Sequence, residues 1–455
     1  MTPVLLKKIP DRAGCAFVCV ILAISLLLKL ALCWHIHRTC PSTVMRLDSS
    51  SYDQSARSIA RLGIFSVSPE RPDEPQILRT PGYPAFIAAI YLIFGERHAS
   101  VIIAQILLSI VTAVMMYVMA ARLWGRATAA SAVLLLALDP VSLSYSELFL
   151  TETLFTCLMT LSACVGLHLA VRPRGSWIYA LCIGASLSTL VRPIAYWLVF
   201  PVLAWLCLFE IAKGRGWKRG LVSCLLLFAP WLALIGGWQL RNFRVTGRAE
   251  YCFIANESLL RYRAADIISM RERISFEEAG RRIEELIPDD GRRSLAETLS
   301  AHGVAGAAIV KKHPLLFLRS ALRGAGKILF VPGEYELLQC LGVAPDKEGC
   351  LGDMARLPAR RYLMKWAVGI PAVFTAFIAS AAYLLLLYAG SLRTVAGIRL
   401  RDRGRFFAHL LCLGIVVYLV LLSARPEAGP RFRVPLMPVL CMYAANGLRR
   451  VSADS

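Results

Sequence analysis

The sequence predicts an all-α polytopic membrane protein: a bundle of about ten transmembrane helices with interfacial helices and a small helical extracytoplasmic domain. Three observations lead there. Of its 455 residues 57% are hydrophobic and only 18% charged, the mean hydropathy is +0.58, and the apolar residues fall in long runs separated by basic turns. Such a composition excludes a soluble enzyme with a greasy core. A net charge of +21 would suggest a nucleic-acid partner in a soluble domain. Here the basic residues punctuate apolar runs, as in loops facing cytoplasm and anionic lipid, so no nucleic-acid partner is expected.

The first span runs apolar from Ala13 to Cys33 after MTPVLLKKIPDR, long enough to cross about 30 Å of hydrocarbon, with Lys29 able to snorkel to the interface. It lacks a convincing small-residue cleavage site, so it reads as an uncleaved helix with a cytoplasmic N-terminus. Further candidate spans are 100–121, 126–142, 149–171, 176–191, 193–210, 219–239, 366–390, 406–423 and 433–448. With the N-terminus inside, the turns at Arg122 and Arg126, Arg172 and Arg174, Lys213 to Arg219, Arg393 to Arg405 and the closing Leu448 to Arg450 are cytoplasmic. All are basic and Asp402 is their only acid, as the positive-inside rule requires. The chain thus divides into an N-terminal transmembrane module (1–239, containing a first outer loop 35–99), an extracytoplasmic helical segment (240–365) and C-terminal transmembrane helices (366–455).

Segment 240–365 carries two capping-box signatures, Ser275 with Glu278 and Ser294 with Glu297, each opening a helical pattern such as Ile283, Leu286 and Ile287. Its stretch Pro314 to Val331 is apolar but bears Arg319, Arg323 and Lys327 at helical spacing, which predicts an interfacial helix. Most of the fourteen cysteines lie in apolar runs as small hydrophobes. Cys340 and Cys350 instead sit in a polar loop, where an oxidising compartment would permit a bridge.

The candidate functional residues are ionisable groups in places that charge avoids. After the first span, RLDSSSYDQSARSIARLGIFS places Asp48 just before a helix whose face holds Tyr52, Ala56, Ile59, Ala60 and Gly63. Asp48 reads either as an N-cap that stabilises the helix or as a functional carboxylate. SARPEAGPRFRVP and WQLRNFR put Arg425, Arg431, Arg433, Arg241 and Arg244 on the outer side, against the topology rule. Guanidinium forks match phosphate oxygens, so an anion at that depth accounts for them, with lipid headgroups or Glu427 as the alternative partners. In SLSYSELFLTETLF, Glu147 and Glu152 bracket the start of a span, and Arg192 in LVRPIAYW lies between two short apolar runs. Asp289, Asp290 and His302 could bind a divalent cation, or form solvated surface; no other cofactor is implied, and neither a CxxC pair nor HExxH occurs.

Taken in order, Asp48-x-x-x-Tyr52-x-x-x-Ala56, RTPGYPAFIAAIYLIFG, SELFLTETLF, WQLRNFRVTG and RFRVPLMP resemble the GT-C glycosyltransferases, in the style of aminoarabinose transferases and protein O-mannosyltransferases. The resemblance implies a GT-C-like bundle that moves a sugar from a polyprenyl-phosphate donor to a lipid, glycan or protein acceptor. It implies the noncytoplasmic face of a bacterial inner membrane as the place. By position Asp48 is the catalytic base and Arg79 a donor-phosphate ligand, joined by Arg192, Arg431 and Arg433. Tyr52, Tyr83, Glu147, Glu152, Arg241 and Asn242 are candidate cavity residues. Many relatives have a second acid directly after the base, where this chain has Ser49, and Asp53 should point elsewhere. A carboxylate suits removal of the acceptor proton, cations suit the leaving phosphate, and one direct displacement inverts the anomeric centre. The rival reading is a transporter or flippase of an anionic lipid, for which the internal repeats common in such proteins are not visible.

Overall fold

The computed structural model describes residues 12–171, 176–286, 293–343, 371–398 and 402–454. The N-terminal part runs α1 (Arg12–Thr39), α2 (Ser49–Leu62), a hairpin of β1 (Ser66–Ser68) and β2 (Arg71–Pro75), α3 (Gly82–Phe94), α4 (His98–Trp124) and α5 (Arg126–Leu138). It continues through α6 (Pro140–Tyr145), α7 (Glu152–Val171), α8 (Ser176–Val191), α9 (Val199–Ala212) and α10 (Gly216–Thr246). There follow α11 (Ile254–Ser258), a π-helical stretch (Leu259–Ala264), α12 (Ala265–Glu272), α13 (Phe276–Leu286), α14 (Leu295–Lys312), α15 (Pro314–Phe330) and α16 (Glu334–Cys340). The chain closes with α17 (Pro371–Ala396), α18 (Arg403–Ser423), a 3-10 helix (Pro430–Leu436) and α19 (Met437–Asp454).

Each of the ten expected spans meets a helix, but the helices are unequal. Among the described residues seven are long and apolar enough to cross a membrane, Pro193–Ala212 counting as one with its 3-10 start. Three shorter apolar helices, Gly82–Phe94, Arg126–Leu138 and Trp177–Val191, accompany them. The expected span 126–142 stops at Leu138 because Asp139 and Pro140 follow, and at 1.5 Å per residue its helix reaches only about 20 Å. Asp139 there accepts a 2.7 Å bond from the Ser142 amide and caps α6 instead. The apolar stretch after Arg79, placed in an outer loop by the sequence, is itself the helix α3, and the hairpin before it had no clear sequence signal.

One continuous apolar core joins α1, α3 to α10 and α17 to α19. In it α7 packs on α4, α8 and α18, and α19 packs on α5 and α17. Lys29 departs from expectation: it does not snorkel but is 6% exposed, donating to Ser146 Oγ at 2.8 Å and to the Ser142 carbonyl at 3.3 Å. Between α10 and α17, Leu260, Ala264, Ala265, Ile268, Ala279 and Ile283 form a separate small core. Ser294 makes both bonds of its capping box, and Ser275 accepts the Glu278 amide at 3.0 Å. Two basic residues of α15 have partners in neighbouring segments, Arg323 on Asp266 at 2.5 Å and Lys327 on the Pro426 carbonyl at 2.8 Å.

Candidate active site

Asp48 occupies the N-cap position of α2, yet its side chain makes no cap bond. The capping reading is therefore not what the carboxylate does. Oδ1 accepts from Arg79 Nη2 at 2.8 Å, and Oδ2 accepts from Arg431 Nη1 at 3.1 Å. Arg79 also donates through Nε to Ser51 Oγ at 2.9 Å, and its guanidinium lies 4.9 Å from the centre of the Tyr52 ring. Local chemistry holds Arg79 there. Gln76 Oε1 accepts the amides of Leu78 and Arg79 at 2.9 and 3.2 Å, while Thr80 donates to the Val191 carbonyl at 3.1 Å. Gly82 then lets α3 start against the end of α8, since a Cβ there would lie 2.7 Å from the Leu190 carbonyl oxygen.

Glu152 begins α7 fully buried and accepts from Arg192 Nη1 at 2.8 Å and from Arg431 Nε. Arg431 thus bridges a carboxylate 383 positions away to one 279 positions away. The result is an alternating row, Arg79, Asp48, Arg431, Glu152, Arg192, in which every neighbouring pair is bonded. Arg192 rests over the rings of Phe155 and Phe432 at 5.5 and 5.4 Å. Burial alone would raise the Asp48 carboxyl, but Arg79 and Arg431 outweigh it and hold it below the usual carboxylate range. Asp48 is therefore ionised and doubly paired, with a third of its side chain exposed.

Arg425 and Arg263 extend the row. Arg425 meets Glu427 at 3.3 Å and Ser258 Oγ at 3.2 Å, lies 5.1 Å from the Phe432 ring centre and leaves Nε without a partner. Burial lowers its pKa, and the positive charges of Arg263, Arg192 and Arg431 lower it further. Five guanidiniums (Arg79, Arg192, Arg263, Arg425, Arg431) thus face three carboxylates (Asp48, Glu152, Glu427). That excess of positive charge suits an anion. Arg263 and Tyr262 come from the π-helical stretch, and Tyr262, whose phenol burial pushes up, also feels the charges of Glu427 and Asp48. Neither was singled out in the sequence.

Other expected cavity residues lie elsewhere. Arg433 is 1% exposed and donates to the carbonyls of Ile328 at 2.9 Å, Leu329 at 3.3 Å and Val331 at 2.9 Å, closing the end of α15. It makes no bond to Asp48 or Glu152, because the carbonyls at a helix C-terminus take its donors. Arg241 donates to the carbonyls of Gln76 and Phe65, both at 3.0 Å, and Asn242 Nδ2 to those of Glu250 and Tyr251, at 2.9 and 3.1 Å, so the pair staples the end of α10 to the segments on either side of the site. Tyr83 is buried, donates to Gln105 Oε1 at 2.6 Å and meets Tyr52 edge-on at 5.2 Å, supporting the site from behind. Glu147 is fully buried on the Lys29 side, and burial pushes its carboxyl up to about 8. Asp53 points elsewhere, as expected, to Arg57 at 2.9 Å and Tyr91 at 2.5 Å. Among the described residues no group of three His, Cys, Asp or Glu could hold a metal. Asp289, Asp290 and Cys350 lie outside the described residues, while Cys340 is buried and its carbonyl is 3.3 Å from Cys40 Sγ.

Residues 73–234 match the family model for dolichyl-phosphate-mannose-protein mannosyltransferase. Among solved structures, the apo oligosaccharyltransferase of Archaeoglobus fulgidus superposes with a TM-score of 0.52 and 13% identity, over 96% of this chain and 51% of that one. The same organism's oligosaccharyltransferase AglB, in complex with an inhibitory peptide and a dolichol-phosphate, gives 0.51 and 11%, over 96% and 50%. ArnT from Cupriavidus metallidurans bound to undecaprenyl phosphate gives 0.40 and 16%, over 96% and 78%. No curated protein matches. The chain spans about half the length of the archaeal enzymes. It is an integral, multi-pass, α-helical membrane protein with their fold. That fold is GT-C.

Proposed function

We propose that this protein is a GT-C glycosyltransferase that moves a sugar from a polyprenyl-phosphate carrier to an acceptor on the noncytoplasmic side of the membrane. The observation that carries this reading is the meeting of Asp48 with Arg79 and Arg431, one carboxylate between two guanidiniums, drawn from the two ends of the chain. In the reaction an acceptor hydroxyl or amine attacks C1 of the sugar and gives its proton to Asp48. The C1–O bond to phosphate breaks and its electron pair leaves with the polyprenyl phosphate, inverting C1. Arg79, Arg192 and Arg431 receive the growing negative charge, with Arg425 and Arg263 beside them.

The paired state of Asp48 adds a step to this mechanism. A carboxylate held by two guanidiniums is a weak base. A donor phosphate competes for the same forks, and phosphate oxygens suit them as well as a carboxylate does. Donor binding draws Arg79 and Arg431 toward the phosphate, so the base gains strength only when its substrate is present.

The test is turnover of a labelled polyprenyl-phosphate sugar by the purified chain in lipid. Free polyprenyl phosphate is expected from the parent, and the Asp48→Asn variant is expected to lose about 10² to 10⁴ in rate. Parental turnover by a folded, correctly inserted Asp48→Asn would remove Asp48 from the mechanism. Binding without any turnover by the parent would favour a carrier of anionic lipid.

A further inference from the structure

Lys29 is a cation in the interior of an apolar helix, and such a charge is costly unless something specific holds it. It is 6% exposed, and its Nζ donates to Ser146 Oγ at 2.8 Å and to the Ser142 carbonyl at 3.3 Å. Its ammonium interacts electrostatically with Glu147 and Asp139, which are 0% and 1% exposed. Glu147 Oε1 accepts from Ser146 Oγ at 3.3 Å, while Glu147 Oε2 and Asp139 Oδ1 make no hydrogen bond, Asp139 also facing the charge of Arg433. Beside them Lys29, Ser109 and Ser142 edge a small, mostly apolar cavity of about 40 Å³ that Leu22, Val133 and Leu136 also line.

Everything Lys29 grips belongs to one stretch, residues 139–151, and that stretch connects the two carboxylates of the site. Its Phe149 amide donates to the Val44 carbonyl at 3.0 Å, and its Phe149 carbonyl accepts from Ser49 Oγ, next to Asp48, at 2.7 Å. Gln105 Nε2 donates to the Leu148 carbonyl at 2.8 Å, and Thr153 Oγ1 to the Tyr145 carbonyl at 2.9 Å. The stretch then ends at Glu152, the carboxylate that holds Arg192 and Arg431.

We propose that Lys29 is a positioning residue for the transfer reaction: an intramembrane pin that fixes residues 139–151 and through them the spacing between Asp48 and Glu152. This rests on the transferase reading. Lys29 touches no reacting atom; it acts by hydrogen-bonding Ser142 and Ser146, so neutralising its charge does not replace it.

The experiment uses the full chain in lipid with Lys29→Met paired with Glu147→Gln, which removes the cation together with an acid it balances. The expected result is melting within a few degrees of the parent and kcat lower by about tenfold or more. KM for the donor should stay within about threefold, and amide exchange across 139–151 should be at least about tenfold faster while α4 keeps its protection. A purely structural Lys29 would restore kcat along with stability in the charge-balanced pair. Parental kcat, a change confined to KM, or unchanged exchange over 139–151 would each overturn the proposal. If the pair fails to fold, Ser146→Ala, which deletes only the hydroxyl that Lys29 holds, carries the same measurements, and Ser146→Thr should rescue it. A parent without turnover whose 139–151 exchange still depends on Lys29 would sink the transferase reading and leave the pin standing.

Discussion

At the scale of single residues, Asp48 sits where an acid commonly caps a helix, but its oxygens are turned to Arg79 and Arg431. The sequence reading left both roles open because a cap and a base have the same local signature; only partners from distant chain decide. The pairing also sets a pH dependence. In the free protein the guanidiniums keep Asp48 ionised to lower pH than an ordinary carboxyl, so the acid limb of kcat/KM is expected below the usual carboxylate range. If the donor phosphate takes those guanidiniums, the carboxyl rises toward or above its ordinary value in the complex. The acid limb of kcat is then expected at higher pH than that of kcat/KM. Coincident limbs in the two profiles would show that the arginines stay on Asp48. Arg433 teaches the complementary lesson: two positions from Arg431 in the same motif, it serves carbonyls at the end of α15.

At the scale of elements, the outer arginines depend on how closely backbone segments approach. Gly324 in α15 faces the chain at Arg425, and a Cβ on it would lie 2.5 Å from the Arg425 carbonyl oxygen and 2.6 Å from its amide nitrogen. Gly324→Ala therefore has to displace backbone that leads into Arg431. The expected cost is about 1–3 kcal/mol of stability, readable by thermal unfolding. The transfer rate should fall about tenfold to a hundredfold, out of proportion to that cost, since small misplacements of catalytic groups are expensive. Equal losses in stability and rate across Gly324→Ala and a remote control glycine such as Gly280, which has open space around it, would refute this. Helices were legible from apolar runs and capping boxes, as at Ser294 and Glu297. The hairpin and the π-helical stretch were not, because a three-residue strand and one widened turn carry too little periodicity to read.

At the scale of the molecule, the sequence places the basic turns in the cytoplasm, and the proposed site belongs on the other side. Tyr262 at the site and Lys218 in the first turn of α10 are therefore expected on opposite sides of the membrane. Tyr262→Cys should react with a membrane-impermeant thiol reagent in intact cells, above the labelling of the parent, and Lys218→Cys only after permeabilisation. Labelling of both, or the reverse, would invert the topology. By itself the sequence determined that this is a helical membrane protein, roughly where its helices lie, and which charges stand in unexpected places. Hydrophobic runs, caps and charge bias are local properties, and they survive without knowledge of the fold. Tertiary structure alone decided which of those charges meet: Asp48 with Arg79 and Arg431, Glu152 with Arg192, Lys29 with Ser146, and Arg433 with the carbonyls at the end of α15. The reason is that a buried charge is stabilised by whatever partner packing brings within about 3 Å, and the packing of distant helices is not written in the spacing of residues along the chain.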